Sequence, residues 1–360
     1  MPGVPRPPRF DPQRLRSEAT LNGTRLADLD GAEPAHVGHQ AGALLSLAAL
    51  AHLAAAEQIT PAAAPAQVPP QLARLLAAGD VRATAVVRRY AQPLAHLIAT
   101  LTRGPQADRP EQHAWRTAYL EHWAHIEQVW LGGGVAAALG RPLAAAVADH
   151  LATLLRPAPA VRLAPQAANL ALLGAARSRP QPRGQRLVFD FGQTAAKRAV
   201  ADYDGRQLAR LRLLPSRAAP RSTPTAPLSP AAIVAFVADV LAETLAMVRP
   251  VRLDPHCTIS IACYTRDGRP LDRRGTYAPL GRLPLGVISA AVAERTGQPL
   301  RLRFVHDGTA AARALAGQRP AALIVLGTYL GVGFPPPAEQ VLPLADDFAL
   351  DQTMPNGGVR

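Results

Sequence analysis

The chain has 360 residues, 48% of them hydrophobic and 18% charged, enough to bury a sizeable core and to suggest two domains. Its formal charge of +13 invites a nucleic-acid partner, but the chain has one lysine, Lys197, and its arginines are scattered. No basic stripe interleaved with aromatics is present, so a dispersed, solvated cationic surface and no nucleic-acid partner are expected.

The most apolar stretch, residues 41–56, is Ala-rich and too short to span hydrocarbon, so it reads as a buried helix. Residues 1–12 hold no apolar core of a secretion signal, and no membrane partner and a cytoplasmic location are expected. Cys257 and Cys263 lie in the apolar run TISIAC. Core thiols are expected there, because no His/Cys cluster surrounds them and one straight strand holds them too far apart to bond.

In chain order, a helical pattern covers residues 39–58, and another covers 71–102 with a break at Gly79 and Pro93 as a kink or helix start. Residues 104–110 read as a loop, 112–121 as a helix, and IEQVWLGGG as a strand. Helices follow over 141–155 and 164–177, then a Pro/Arg/Gly linker over 178–185. Beyond it RLVFDFG, KRAVADYD and GRQLARLRLL alternate as strands, with Asp204-Gly205 as a hairpin turn. A loop over 215–230 leads into a helix over 230–248, opened by Ser229 as N-cap and Pro230. TISIACY is a strand, 285–296 a helix, LRLRFVHD a strand running into a helix over 309–316, and AALIVLGTYLGVGF two strands about a Gly-rich turn. Residues 335–360 read as a polar tail.

Four segments carry the chemistry. In LVFDFGQT a strand ends in Asp190-x-Gly192-x-Thr194, offering backbone N–H groups, a hydroxyl and a carboxylate that can hold a Mg²⁺ ion through its water. Any tight Asp-x-Gly turn has the same composition. In FVHDGTAAARAL a strand ends at His306-Asp307 where an Ala-rich helix starts, the place where α/β sheets collect ligands; Asp307 can accept a hydroxyl proton there, or simply cap the helix. In LIVLGTYLGVGF the glycines Gly327, Gly331 and Gly333, with Thr328, suit close approach to β- and γ-phosphates, and equally suit a bulged hairpin. Gly132, Gly133 and Gly134 let a base or ribose approach the backbone, as at many strand–helix turns.

Together these segments resemble the ROK family of sugar kinases and repressors, within the hexokinase–actin–heat-shock ATPase superfamily. LVFDFGQT resembles its first phosphate loop and LGTYLGVGF its second. FVHDGTAAA resembles its catalytic segment, and VWLGGGVAAALGRPL with NLALLGAAR its adenosine-side segment and closing helix. In the family the last two close the chain; here they precede Asp190, as circular permutation would give, the old ends joined through 178–185. The resemblance implies a two-lobed α/β, actin-like ATPase (ribonuclease H-like) fold, circularly permuted. Its nucleotide domain would come from residues 1–163 and 319–360, and its catalytic-Asp domain from 164–318.

The resemblance further implies ATP and Mg²⁺, a sugar acceptor and a homodimer. Asp307 would be the catalytic base; Asp190, Gly192, Thr194, Gly327, Thr328, Gly331, Gly333, Gly132, Gly133 and Gly134 would bind phosphate and nucleotide. The family's Asn before the catalytic Asp is His306 here, Tyr329 replaces a loop glycine, and the Cys-rich zinc motif is absent. No Glu-x-x-His follows the second loop, but Glu33 and His36 in GAEPAH form one; with His306 they are the candidate sugar contacts, and a polar surface loop explains them as well. The alternative to a kinase is a catalytically degenerate sugar- or nucleotide-binding regulatory protein. A DNA-binding repressor is disfavoured, since no helix-turn-helix pattern precedes the fold.

Overall fold

A computed structural model describes residues 10–59, 64–103, 114–178, 182–220, 228–248, 252–271 and 275–352. The loop expected over 104–110, and parts of the 178–185 linker, the 215–230 loop and the 112–121 helix, lie outside the described residues.

Helices α1 (Ala41–Leu45), α2 (Leu47–Ala56), α3 (Val68–Ala77), α4 (Val81–Thr102) and α5 (Ala114–Ala124) precede strand β1 (Gln128–Gly132). Helix α6 (Gly133–Leu154), strand β2 (Ala160–Leu163) and helix α7 (Leu170–Ala176) follow. Next come strands β3 (Arg186–Phe191), β4 (Ala195–Asp204) and β5 (Gln207–Ala218), helix α8 (Pro230–Val248) and strand β6 (His256–Ile261). A short hairpin, β7 (Thr265–Arg266) and β8 (Arg269–Pro270), leads to helix α9 (Leu285–Thr296), strand β9 (Arg301–His306) and helix α10 (Asp307–Arg313). Strands β10 (Ala321–Leu326), β11 (Leu330–Gly333) and β12 (Leu344–Gln352) complete the order. The fold is mixed α/β, with parallel and antiparallel strands.

The described residues divide into two compact units, one drawn from Met1–Ala168 and Arg319–Phe334, the other from Asn169–Gln318 and Pro335–Arg360. The expected assignment of all of 319–360 to the first domain is corrected at residue 335. The segment read as a polar tail contains β12, which pairs in parallel with β5 of the second unit. Its Leu344, Phe348 and Leu350 pack against the buried cluster around Val188 and Leu211, which supplies the reason it folds there.

The first unit holds a sheet in the order β11-β10-β1-β2, with β1 parallel to both β10 and β2. The helix expected over 39–58 is two helices. Ser46 leaves the helical region (φ −68°, ψ 162°) and its Oγ accepts the Ala49 N–H at 3.2 Å, ending α1 and capping α2. The break at Gly79 is present, and Asp80 caps α4 by accepting the Arg82 and Ala83 N–H groups. Pro93 lies within α4. That helix buries Val86, Tyr90, Leu94, Leu97 and Leu101 at helical spacing, each worth roughly 1.5–3 kcal/mol of apolar burial. The helix expected over 164–177 is confined to α7, with β2 before it.

The second unit holds a sheet in the order β12-β5-β4-β3-β6-β9. Strands β3, β4 and β5 form an antiparallel meander around the Asp204-Gly205 turn, and β3, β6 and β9 run parallel. Alternation divides β3 between two cores: Leu187, Phe189 and Phe191 face α8 and α9, while Val188 faces α7. Helix α8 is long and apolar enough to cross a membrane by length and composition alone. Its Ile233, Val237, Val240 and Leu241 are fully buried in this core. Strand β6 stops at Ile261, so Cys263 lies beyond it; both cysteines are buried.

Candidate functional site

The parallel register of the second unit decides which residues meet. Asp190 of β3 pairs with Ser260 of β6, and Ile261 of β6 pairs with His306 of β9. The carboxyl ends of these strands therefore lie on one edge of the sheet, where α/β folds collect ligands. Asp190, Gly192, Thr194, His306 and Asp307 all sit on this edge.

Asp190 is held from two sides. Ser260 Oγ, itself fully buried, donates to Asp190 Oδ1 at 2.8 Å, and Lys197 Nζ stands 3.9 Å from Oδ2. Lys197 arrives through the β3–β4 hairpin, directly opposite Asp190 in the ladder. The turn between them is braced from behind. The Gln193 side chain donates to the Ala262 carbonyl and accepts from the Thr276 hydroxyl at 2.7 Å, and Tyr277 Oη donates to the Gly192 carbonyl at 3.0 Å. Gly192 N–H donates to Ala195 O at 3.0 Å within the turn, so this amide is not presented outward as expected; the Thr194 residue is exposed.

Asp307 opens α10 at the end of β9. Helix α7 crosses α10 so closely that a side-chain carbon at Gly174 would overlap the Ala310 carbonyl, which locks the start of α10 in place. Burial, reinforced by the negative charge of Asp190, pushes the Asp307 carboxyl up to about 7. Its Oδ1 accepts the Gly308 N–H at 2.7 Å and lies 3.2 Å from His306 Nε2. His306 is 6% exposed, and the Tyr264 ring stacks on it with centroids 4.4 Å apart. A contact with substrate was expected of His306; its ring packs on Tyr264 and is turned to Asp307.

The remaining candidates belong to the first unit. Gly132 ends β1 opposite Val325. Gly133 has φ +89°, donates its N–H to Ala167 O at 2.8 Å, and would overlap the Leu326 backbone if it carried a side chain. Its missing side chain thus serves the crossing of β10, whereas Gly134 faces open space. The expected glycine turn is shorter than read. Gly331 and Gly333 are strand residues of β11, paired with Val325 and Leu323, which leaves Gly327 and Thr328 in the turn. Asn22 clamps that turn, donating to Leu330 O and accepting from Leu330 N–H, both at 2.9 Å. Tyr329 is 60% exposed at its apex. Glu33 precedes a short 3-10 turn containing His36, whose ring lies 6.2 Å from that of His96.

Sequence reasoning missed Ser260, Tyr264 and the role of Lys197. The available signal was Lys197 itself, the single lysine, at the third residue of the returning strand β4.

The donor set suits a hydrated Mg²⁺ ion better than a resident metal cage. Among the described residues no group of three or more His, Cys, Asp or Glu side chains can hold a metal. Mg²⁺ characteristically keeps its waters and uses one or two carboxylates plus substrate phosphates. Asp190, braced by Ser260, fits that part.

The fold and site together define a mixed α/β unit with an acid pair at the ends of parallel strands. Among solved structures, a hexokinase from Schistosoma mansoni complexed with glucose is similar over 44% of this chain and 38% of its own, at 16% identity and a TM-score of 0.33. An inorganic polyphosphate/ATP-glucomannokinase from Arthrobacter sp. strain KM matches over 46% of this chain and 62% of its own, at 22% identity and a TM-score of 0.29. A RuvC structure from Thermus thermophilus matches over 38% of this chain and 82% of its own, at 18% identity and a TM-score of 0.22. The chain spans less than two thirds of either kinase. No protein-family model and no curated protein matches the sequence. These likenesses are too slight to carry an activity, so function rests on the residues themselves.

Proposed function

We propose that the protein is an ATP-dependent sugar kinase of the actin-like ATPase type, ROK-like and circularly permuted, acting in the cytoplasm. The observation that carries this reading is the placement of Asp190 and Asp307 together at the carboxyl ends of parallel strands, where burial and the Asp190 charge raise the Asp307 carboxyl. A general base works best when its pKa lies near the operating pH, because it is then both ionised often enough and basic enough to take a proton. Asp307 would accept the proton of the sugar hydroxyl. Asp190 would hold Mg²⁺ through its waters, and the ion, when bound with ATP, neutralises phosphate charge. Lys197 and Thr194 offer further donors to phosphate oxygens. Phosphoryl transfer demands little covalent work from a protein, so positioning and charge supply most of the rate.

The second reading, a regulatory protein that binds sugar or nucleotide without turnover, is favoured by the Gly192 N–H engaged inside its own turn and by Tyr329 exposed at the other. A thermal-shift titration with ATP-Mg, followed by coupled ADP release over a hexose panel, separates the two. The kinase reading expects binding and sugar-dependent ADP release, with release reduced by roughly 10²–10⁴-fold in Asp307→Ala. Binding with no release supports the regulator, and neither effect removes the nucleotide reading altogether.

A further inference from the structure

His306 is fixed through both its backbone and its ring. Its backbone N–H donates to Thr265 Oγ1 at 3.2 Å, and its ring lies parallel to Tyr264 within 10°. Its Nδ1 accepts the Thr309 N–H at 3.3 Å, making the imidazole the side-chain cap of α10. Its Nε2 faces Asp307 Oδ1 at 3.2 Å. Thr309 Oγ1 also lies 3.3 Å from Nδ1 and can donate or accept, whereas the backbone amide can only donate; the tautomer that completes the cap therefore keeps the lone pair on Nδ1 and the proton of the neutral ring on Nε2. Nε2–H is then the ring's donor, and it stands 3.2 Å from Asp307 Oδ1. The Gly308 N–H donates to the same oxygen at 2.7 Å.

Building on the kinase reading, we infer that His306 is a positioning residue for Asp307: it occupies Oδ1 together with Gly308 N–H, so that Oδ2 is the oxygen presented to the substrate hydroxyl. The cap on α10 and the orientation of the base are thus set by one ring with one tautomer. A donor to the ionised carboxyl favours the ionised form, which opposes burial. The other charged group acting on Asp307 is Asp190 from β3, with Lys197 from β4 standing 3.9 Å from Asp190. Neither is removed by changes at His306.

Two substitutions separate the functions of the ring. Asn places an acceptor near the position of Nδ1 and keeps the cap while losing the donor to Asp307. Gln places a donor near the position of Nε2 and keeps the hydrogen bond to Asp307 while weakening the cap. The titration of the Asp307 carboxyl is read by carbon-13 NMR of labelled aspartate, its signal identified by its absence in Asp307→Asn; this needs no turnover. The acid limb of kcat/KM is measured in parallel with ATP-Mg and the hexose panel. His306→Asn should keep its melting temperature near that of the unmodified chain, move the carboxyl midpoint and the acid limb up by about one pH unit, and lower kcat/KM at pH 7 roughly fivefold. His306→Gln should melt lower yet leave the midpoint within a few tenths of a unit. An unmoved midpoint in His306→Asn, or an equal displacement in His306→Gln, overturns the inference. Midpoints that move as expected in a protein releasing no ADP support the pairing and overturn the kinase reading instead.

Discussion

Two turns were expected to handle phosphate, and they are built on different principles. The Asp190–Thr194 turn of the second unit is held by side chains, Gln193, Thr276 and Tyr277, and has ionisable groups around it. The Gly327–Tyr329 turn of the first unit is held by the two-sided Asn22 clamp on Leu330 and the close crossing at Gly133. The first arrangement couples structure to pH; the second couples it to steric fit. The consequence is that substitutions beside the first should change chemistry and pH dependence, while those beside the second should change stability at every pH.

The largest effect is expected where steric fit is tightest. Gly133→Ala places a side chain into the Leu326 backbone at a positive φ, combining overlap with strain. A loss of about 3–5 kcal/mol in urea unfolding is expected, equal at pH 5 and pH 8. A loss under about 1 kcal/mol would show that Gly133 does not meet the Leu326 backbone as described.

Next comes the carboxyl pair. An Asp307 carboxyl raised to about 7 stays protonated in the folded chain while the unfolded chain ionises near its ordinary value, so folding stability falls as pH rises from about 4 to about 7 and is level above. The displacement corresponds to roughly 4 kcal/mol. With 27% of the side chain in solvent, about half of that should be realised. Asp307→Asn is therefore expected to be more stable than the unmodified chain by about 2 kcal/mol at pH 8 and equal to it near pH 4, by urea unfolding at both. A variant equally stable or weaker at pH 8 would remove the raised carboxyl.

The smallest effect concerns the clamp. Asn22→Ala leaves two backbone groups of Leu330 without their partner and should cost about 1–2 kcal/mol, with faster hydrogen exchange at the Leu330 amide. Exchange unchanged at that amide would mean the turn is held by other means.

Much of the second unit was legible in the sequence because its signals are local. Alternation gave β3, β4 and β5, the Asp204-Gly205 pair their turn, and Ser229 with Pro230 the start of α8, where Ser229 Oγ accepts the Ala232 N–H. The junction of β9 and α10 at Asp307 was legible for the same reason. What escaped depends on pairing between distant segments. Ser260 sits inside an apolar run and becomes an Asp190 partner only because β6 lies beside β3, across 70 residues of chain. Strand β12, LADDFALDQ, mixes three Asp residues with apolar ones without alternation and reads as a tail until β5 offers its edge. Gly133 looked like room for a ligand because sequence does not reveal that the Leu326 backbone already fills it.

The central claim is that Asp307 takes a proton from a sugar hydroxyl during transfer from ATP. Phosphorus NMR of ATP-Mg incubated with each hexose of the panel tests it most directly. The account predicts a sugar-phosphate resonance growing as the γ-phosphate signal declines, and its suppression in Asp307→Ala. Free phosphate without any sugar phosphate, or product formed equally by Asp307→Ala, would contradict it.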